Sequence, residues 1–271
     1  MIDIVTHNGI FHADEVTACA LIKVFIPSLY ASPIRTRDPE LIAEAKIVVD
    51  VGGIYDPMTL RFDHHQVSYE GPLSSAGMML NSLENNVNTD CSGSLAKFLR
   101  NQLIDGVDAI DNGKAPKRAA GFMDFSGVIS SFNHYAPFSA WQDRMFNEAV
   151  DFVCDLLRRL KAQHKRLEAE KVEVDTALEN CASDILELPR FLNWQTAVVK
   201  YNADAAIPLR RVIWPQQDEW RVQVPPKELG SFELGASPLT EENAPADLVF
   251  VHKNGFIGSA KSKEGALQLA S

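Results

Sequence analysis

RFDHHQ, residues 61–66, sets one carboxylate and two imidazoles in a row: Asp63, His64 and His65. Successive residues on a strand face opposite ways, so packing rarely asks for both to be imidazole. The pair is either a polar surface turn or part of a site. Four of the seven histidines (His7, His12, His64 and His65) fall within the first 65 residues, each near an aspartate. THNGIFHADE brings His7, His12 and Asp14 just past a short β-rich run, VVDVGG ends an apolar run near Asp50, and DAIDNG sets Asp108 and Asp111 before a glycine. Singly, most have an ordinary reading: Asp14 as a helix N-cap, Asp111 as turn chemistry. Asp50 is harder to dismiss, because a carboxylate at the rim of a buried strand needs a partner or a cation. Mixed Asp and His ligation of divalent metal is one cause that covers them all. Three imidazoles and three carboxylates exceed what a single site uses while leaving room for substrate. Two ions are therefore expected. A pair about 3.5–4 Å apart, sharing a carboxylate, activates a common water as hydroxide and clamps both oxygens of an in-line displacement. The nitrogen–oxygen mixture suits Mn²⁺ better than Mg²⁺.

Such groups need a rigid frame. IDIVT (2–6) reads as a strand ending at His7. EVTACALIKVF (15–25) reads as a largely buried helix closed by Pro27, and DPELIAEA (38–45) as a short helix capped by Asp38 with Pro39 in its first turn. KIVVDVGG (46–53) is a continuous apolar strand stopped by two glycines, as in a sheet buried on both faces. Strand, helix, strand at this spacing predicts parallel crossovers and an α/β sheet. Ligands of such sheets bind beyond the carboxyl ends of the strands, where these histidines and aspartates fall. Further helices are expected from Ser74 or Ser75, over 92–110, and over 141–180, with a Gly-, Pro- and Lys-rich loop at 111–127. The basic cluster of the long helix (Arg158, Arg159, Lys161, Lys165, Arg166) reads as a solvated face. After about residue 184 the texture changes to short strands: TAVVKYN, IPLRRVIW and EWRVQVP, with a hairpin turn at Gln216–Glu219. A long connection (225–247) and a closing strand, turn, strand and helix follow. Two domains are expected, 1–183 and 184–271.

Bulk properties narrow the class. With 46% hydrophobic and 23% charged residues the composition is globular. A net charge of -10 gives no long-range pull on nucleic acid, so such a partner would be held locally or through metal. Cys19, Cys91, Cys154 and Cys181 form no C-x-x-C pair, which argues against structural zinc and a disulfide framework. MIDIVTHNG lacks the basic and apolar regions of a signal, and no apolar run reaches membrane-span length. A cytoplasmic protein with no membrane partner is expected.

These motifs resemble the DHH phosphoesterase superfamily. The wording is closest to its Myg branch (melanocyte proliferating gene proteins), metal-dependent 3'–5' exonucleases acting on RNA. THNGIFHADE, RTRDPELI, IVVDVGGIYDP, RFDHHQ, SSAG, DAIDNG, RVQVPPKELGSF and FVHKNGFIGSAKSKEGAL carry the resemblance in order, over nearly the whole chain. It implies a parallel-sheet DHH-type N-terminal domain, including a long helical connector, with a smaller C-terminal α/β domain that binds substrate. It further implies that His7, His12 and Asp50 hold one metal and that Asp14, Asp50, His64 and Asp111 hold the other, with Asp50 as bridge. Asp50, His64 and His65 would be catalytic, His65 standing behind the metals or facing the phosphate. Asp111 is preferred to Asp108 because Asp-Asn-Gly mirrors the Asp-x-Gly of related enzymes. Arg35, Arg37, Ser74, Ser75, Lys253, Lys261 and Lys263 would bind substrate, with Gly255 and Gly258 letting backbone amides approach a phosphate. The chain departs from the family near its end, where Gly258, Ser259 and Ala260 replace Gly-Gly-His and the tryptophan-arginine-glycine stretch before it is missing. Lys261 and Lys263 could replace the lost contacts, or could be surface lysines ahead of a terminal helix.

The expected function is a two-metal phosphodiester hydrolase, a 3'–5' exonuclease on short RNA or oligonucleotides, with homodimerisation possible. The alternatives are a small-molecule phosphohydrolase acting on pyrophosphate or a cyclic dinucleotide, and a metal-binding protein without turnover.

Overall fold

The computed structural model describes every residue except Met1, Ser92, Arg118, Ala119 and Asn243. The chain divides into two compact units, 1–164 and 165–271. The division falls inside the long helix, earlier than the change of texture at residue 184.

The first unit is built on five strands: β1 (Ile2–Thr6), β2 (Ile34–Arg35), β3 (Ala45–Val49), β4 (Tyr55–Asp56) and β5 (Arg61–Phe62). They lie in the order β2-β1-β3-β5-β4. β1 pairs in parallel with β2 and β3, and β3 in parallel with β5, while β4 runs antiparallel at the edge. The sheet is therefore parallel except for one edge strand, and the chain is α/β as its strand–helix alternation predicts. α1 (Ala13–Phe25) and α2 (Pro39–Glu44) are the crossovers. Asp38 caps α2 through the Glu40 amide, and Pro39 opens it.

α1 packs on α3 (Ser75–Glu84), and α3 packs on the run α4 (Gly93–Leu99), a π-turn (Arg100–Ile104) and α5 (Asp105–Asp111), the last of which also meets α1. The predicted single helix over 92–110 is thus interrupted by a wider turn. α6 (Phe125–Ser130), capped by Asp124 through the Gly127 amide, begins within the stretch read as loop. α7 (Ala140–Glu179) is the long amphipathic helix, and its first half supplies Phe146, Val150 and Val153 to the core beside Phe11, Val16 and Ile22.

In the second unit β6 (Ile185–Glu187), β7 (Arg211–Gln216), β8 (Glu219–Gln223), β9 (Leu248–Val251) and β10 (Ile257–Ala260) form a sheet in the order β6-β7-β8-β10-β9. All its pairings are antiparallel except β6 with β7. α8 (Gln195–Asp204) and α9 (Lys263–Ala270) complete the unit. TAVVKYN, expected as a strand, lies in α8. Trp194, Ala197, Val198 and Tyr201 pack into one cluster, a helical spacing that the adjacent valines mask. Among the described residues, no helix is long and apolar enough to cross a membrane.

Candidate metal centre

Three of the four parallel strands of the first sheet, β1, β3 and β5, deliver a ligand-type side chain as they end. β1 ends at Thr6 and His7 follows. β3 ends at Val49, and Asp50 turns out of it with φ +56°, a left-handed conformation that aspartate tolerates better than most residues. The Asp50 amide still donates to the Phe62 carbonyl at 2.9 Å, and Gly52 and Gly53 continue the turn at φ +93° and +68°. β5 ends at Phe62 and hands over Asp63, His64 and His65. α1 starts within the same region, with His12 at its N-cap and Asp14 and Glu15 in its first turn. α5 ends in Asp111.

These groups come together. His7 Nε2 lies 2.9 Å from Glu15 Oε1 and 3.4 Å from Asp50 Oδ2. His64 Nε2 lies 2.9 Å from Asp111 Oδ2, 3.5 Å from Asp50 Oδ1 and 3.9 Å from Asp14 Oδ2. Four overlapping sets present ligand atoms mutually within 4.8 Å: His7, His12 and Glu15; His12, Asp14 and Asp111; Asp14, Glu15 and Asp50; Asp50, His64 and His65. His7, His12, Asp14, Asp50, His64 and Asp111 thus share one cluster.

Its electrostatics leave one carboxylate without a donor. Asp14 is only 1% exposed, and neither of its carboxylate oxygens has a hydrogen-bond donor among the described residues. A buried carboxylate without a donor is costly. Burial, reinforced by Asp50, Glu15 and Asp111, accordingly holds its carboxyl well above the usual carboxylate range. Burial disfavours charge on His7, but hydrogen bonds to Asp50 and Glu15 outweigh it and lift the imidazole to about 10. His64, opposed by burial and favoured by Asp111 and Asp50, also rises to about 10. Burial likewise resists ionisation of Asp50, but His64 and His7 overcome it and hold the carboxylate well below its ordinary range. Protons on the two imidazoles balance the carboxylates, and hard divalent cations would balance them better. The donor set fits: carboxylate oxygens and imidazole Nε2 atoms, with His7 Nδ1 bonded to the Asn8 carbonyl at 2.9 Å so that Nε2 points inward.

Glu15 is the functional candidate that the sequence reading passed over. It accepts from the His12 amide at 3.0 Å while facing His7, so one carboxylate both caps α1 and joins the cluster. Its signal was present: an acid three residues after the N-cap position.

Asp108 and Asp111 have different surroundings. Asp108 accepts from the Ser74 amide (2.9 Å), the Ser74 hydroxyl (2.6 Å) and the Gly77 amide (3.1 Å), tying down the start of α3. Asp111 alone of the two meets His64.

Asp63 holds rather than joins. One oxygen receives the Gly53 amide at 2.6 Å, and the other receives the His65 amide at 3.0 Å and His65 Nδ1 at 2.8 Å. The His65 ring is largely exposed. Together with His7, His12, Arg37, Asp50 and Phe138 it lines a cleft of about 640 Å³.

The remaining expected substrate contacts fare unevenly. Arg37 lines the cleft. Arg35 does not: its side chain is 1% exposed, donates to the Gly9 carbonyl and Asp143, and lies against both the Phe11 and Phe146 rings. Ser74 and Ser75 are fully buried, with hydroxyls on Asp108 and on Asp50 and the Phe62 carbonyl, so they orient carboxylates. In the second unit Lys263 reaches Glu187 at 2.7 Å and lies over Trp220, and Lys253 and Lys261 lie near the two ends of the β10 hairpin. Gly255 is no phosphate cradle. Its amide donates to the His252 carbonyl, and a Cβ there would meet Pro238 at 2.5 Å. Gly258 lies within the ladder between Val251 and Val222.

A family model described as an uncharacterised protein family (UPF0160), short name MYG1_exonuc, matches residues 3–271. The chain is 35% identical over 272 residues to a MYG1 protein of Chlamydia pneumoniae, covering 96% of this chain and 92% of that one. It is 31% identical over 320 residues to the MYG1 exonuclease of Homo sapiens, covering 98% and 84%. Among solved structures, RecJ of Thermus thermophilus in complex with Mn²⁺ aligns with a TM-score of 0.30 at 13% identity. That alignment takes in 98% of this chain and 51% of RecJ, so the chain spans about half of RecJ's length.

Proposed function

Since the chain belongs to the MYG1 family, we propose that it is a divalent-metal-dependent phosphodiester hydrolase, a 3'–5' exonuclease acting on short RNA or other oligonucleotides. The observation that carries this reading is the buried carboxylate of Asp14, without a donor and ringed by Asp50, Glu15, His64 and Asp111. In this reading His7, His12 and Asp50, with Glu15, would hold one cation, and Asp14, Asp50, His64 and Asp111 would hold a second. Asp50 would serve both, because its two oxygens face different histidines. Mn²⁺ is the preferred ion because imidazole nitrogens and carboxylate oxygens contribute together. Bound divalent cations of this kind make water a nucleophile near neutral pH and offset charge on phosphoryl oxygens.

The chain's own residues do the rest. Asp50, fixed by its left-handed backbone and by the Ser75 hydroxyl at 3.0 Å, keeps both carboxylate oxygens aimed into the cluster. Asp63 accepts a hydrogen bond from His65 Nδ1–H, which leaves His65 Nε2 as the nitrogen that can exchange a proton with a phosphoryl or leaving oxygen in the cleft. Arg37 contributes positive charge on the cleft wall for a phosphate. The second unit is proposed to bind substrate through Lys253 and Lys261. A net charge of -10 favours short substrates over long tracts held along the backbone.

The test is to strip the protein with chelator, reload it with Mn²⁺ or Mg²⁺, and offer a short single-stranded RNA, its DNA counterpart, pyrophosphate and a cyclic dinucleotide. Shortening of the RNA one nucleotide at a time from its 3' end is the expected result. Hydrolysis of pyrophosphate or the cyclic dinucleotide alone would replace the oligonucleotide with a small phosphoanhydride or a cyclic phosphodiester.

A further inference from the structure

Phe138 is 80% exposed, yet it lines the cleft that holds His7, His12, Asp50 and His65. A largely exposed phenyl ring on the wall of a polar cleft contributes little to folding, because its apolar surface remains in water. Its position is nevertheless tightly set. The ring lies over Gly9, where an added Cβ would sit 3.4 Å from Phe138 Cε1. The segment carrying it is tied to the β1–α1 loop at both ends. Asn133 exchanges hydrogen bonds with the Phe11 amide (3.0 Å) and carbonyl (2.9 Å). Gln142, fully buried, donates to the Gly9 carbonyl at 3.0 Å and accepts from the His134 amide at 2.7 Å. Between these anchors the Ser139 hydroxyl and amide both donate to the Ala136 carbonyl, at 2.7 and 3.2 Å. Arg35 adds a hydrogen bond to the same Gly9 carbonyl and an ion pair to Asp143.

We propose that Phe138 is a stacking platform for an unpaired nucleobase of the substrate, holding the end of the strand while the adjacent phosphate lies at the Asp50–His64 cluster. The inference rests on the proposed oligonucleotide hydrolysis and adds the group that selects for a base. A planar ring held by a fixed loop stacks on any base at little entropic cost, so the platform distinguishes nucleotides from bare phosphates without reading sequence. Arg37, on the wall of the same cleft, supplies the charge that an aromatic face cannot.

The experiment uses full-length protein loaded with Mn²⁺ and two short RNAs, one ending in a normal base and one ending in an abasic ribose. Phe138→Ala should raise KM for the base-bearing RNA by roughly tenfold or more, as expected for loss of one base–aromatic stack. Its penalty on the abasic RNA should be several-fold smaller. Phe138→Tyr should restore the wild-type KM, and Phe138→Leu should not. Independently of turnover, a terminal 2-aminopurine on a short strand should be quenched on binding wild type and Phe138→Tyr, and left bright by Phe138→Ala. Equal penalties on the two RNAs, or quenching that survives Phe138→Ala, would overturn the platform while leaving the hydrolase intact. Failure of the wild type to cleave either RNA would instead sink both readings.

Discussion

Asp50 Oδ1 lies 3.5 Å from His64 Nε2, while the other oxygen of the same carboxylate lies 3.4 Å from His7 Nε2. A group so placed belongs to both halves of the cluster. Asp50→Asn keeps the shape and the tolerance for φ +56°, and removes the charge. It is expected to fold, to lose bound metal as measured by elemental analysis, and to lose at least about a hundredfold in phosphodiester hydrolysis, the scale of removing a key electrostatic group. Normal turnover with Mn²⁺ would show that Asp50 bridges nothing.

The proton inventory of the metal-free protein gives a second expectation. His7 and His64 are raised to about 10 in the folded protein from 6.5. Their charged forms therefore stabilise the fold fully below pH 6.5, and that contribution is lost as pH rises towards and through 10. Thermal melts in chelator should show Tm falling over this window. Metal binding at pH 7 must expel the imidazole protons of His7 and His64. Calorimetric titrations in two buffers of different ionisation enthalpy should report this release. Identical heats in both buffers would mean that these protons are absent or stay in place.

Asp108 and Asp111, one helical turn apart, should separate into a stability effect and a metal effect. Asp108→Ala strands the Ser74 and Gly77 amides at the start of α3, and should cost about 1–3 kcal/mol by denaturant unfolding. Asp111→Asn removes the partner of His64 and should weaken metal binding and activity with a small change in stability. The reverse pattern would exchange their roles.

The two arginines of RTR should part in the same way. Arg35→Ala removes a buried side chain packed on both Phe11 and Phe146 and takes one of two donors from the Gly9 carbonyl, so the expected loss is in Tm. Arg37→Ala should raise KM for an oligonucleotide and leave Tm close to wild type, because its side chain lies on the open wall of the cleft. A Tm loss for Arg37→Ala with unchanged KM would remove it from the substrate path.

The first half of the chain was largely legible because strand ends in a parallel sheet are places of chemistry, and the sequence marks them. IDIVTH, KIVVD and RFDHH each place an ionisable side chain at the point where the strand stops. Glu15 escaped because it is also an ordinary capping-box residue, and nothing local separates the two roles. Arg35 looked like a phosphate contact because burial of a guanidinium depends on Phe146 and Asp143, more than a hundred residues away. In the second unit, Ala-Val-Val in TAVVKYN mimics a strand while its packing partners lie at helical spacing. The glycines near the C-terminus resemble a phosphate loop, whereas Pro238, Leu239 and Phe250 fill the space beside them.

The most direct measurement is metal stoichiometry against cleavage on one sample. The stripped protein, titrated with Mn²⁺, should bind two ions per chain and begin to shorten a 5'-labelled RNA tetranucleotide from its 3' end as the cluster fills, with Asp14→Asn abolishing both. Two tightly bound ions with no cleavage of the RNA, the DNA, pyrophosphate or a cyclic dinucleotide would contradict a hydrolase, and full cleavage in the presence of excess chelator would contradict its dependence on metal.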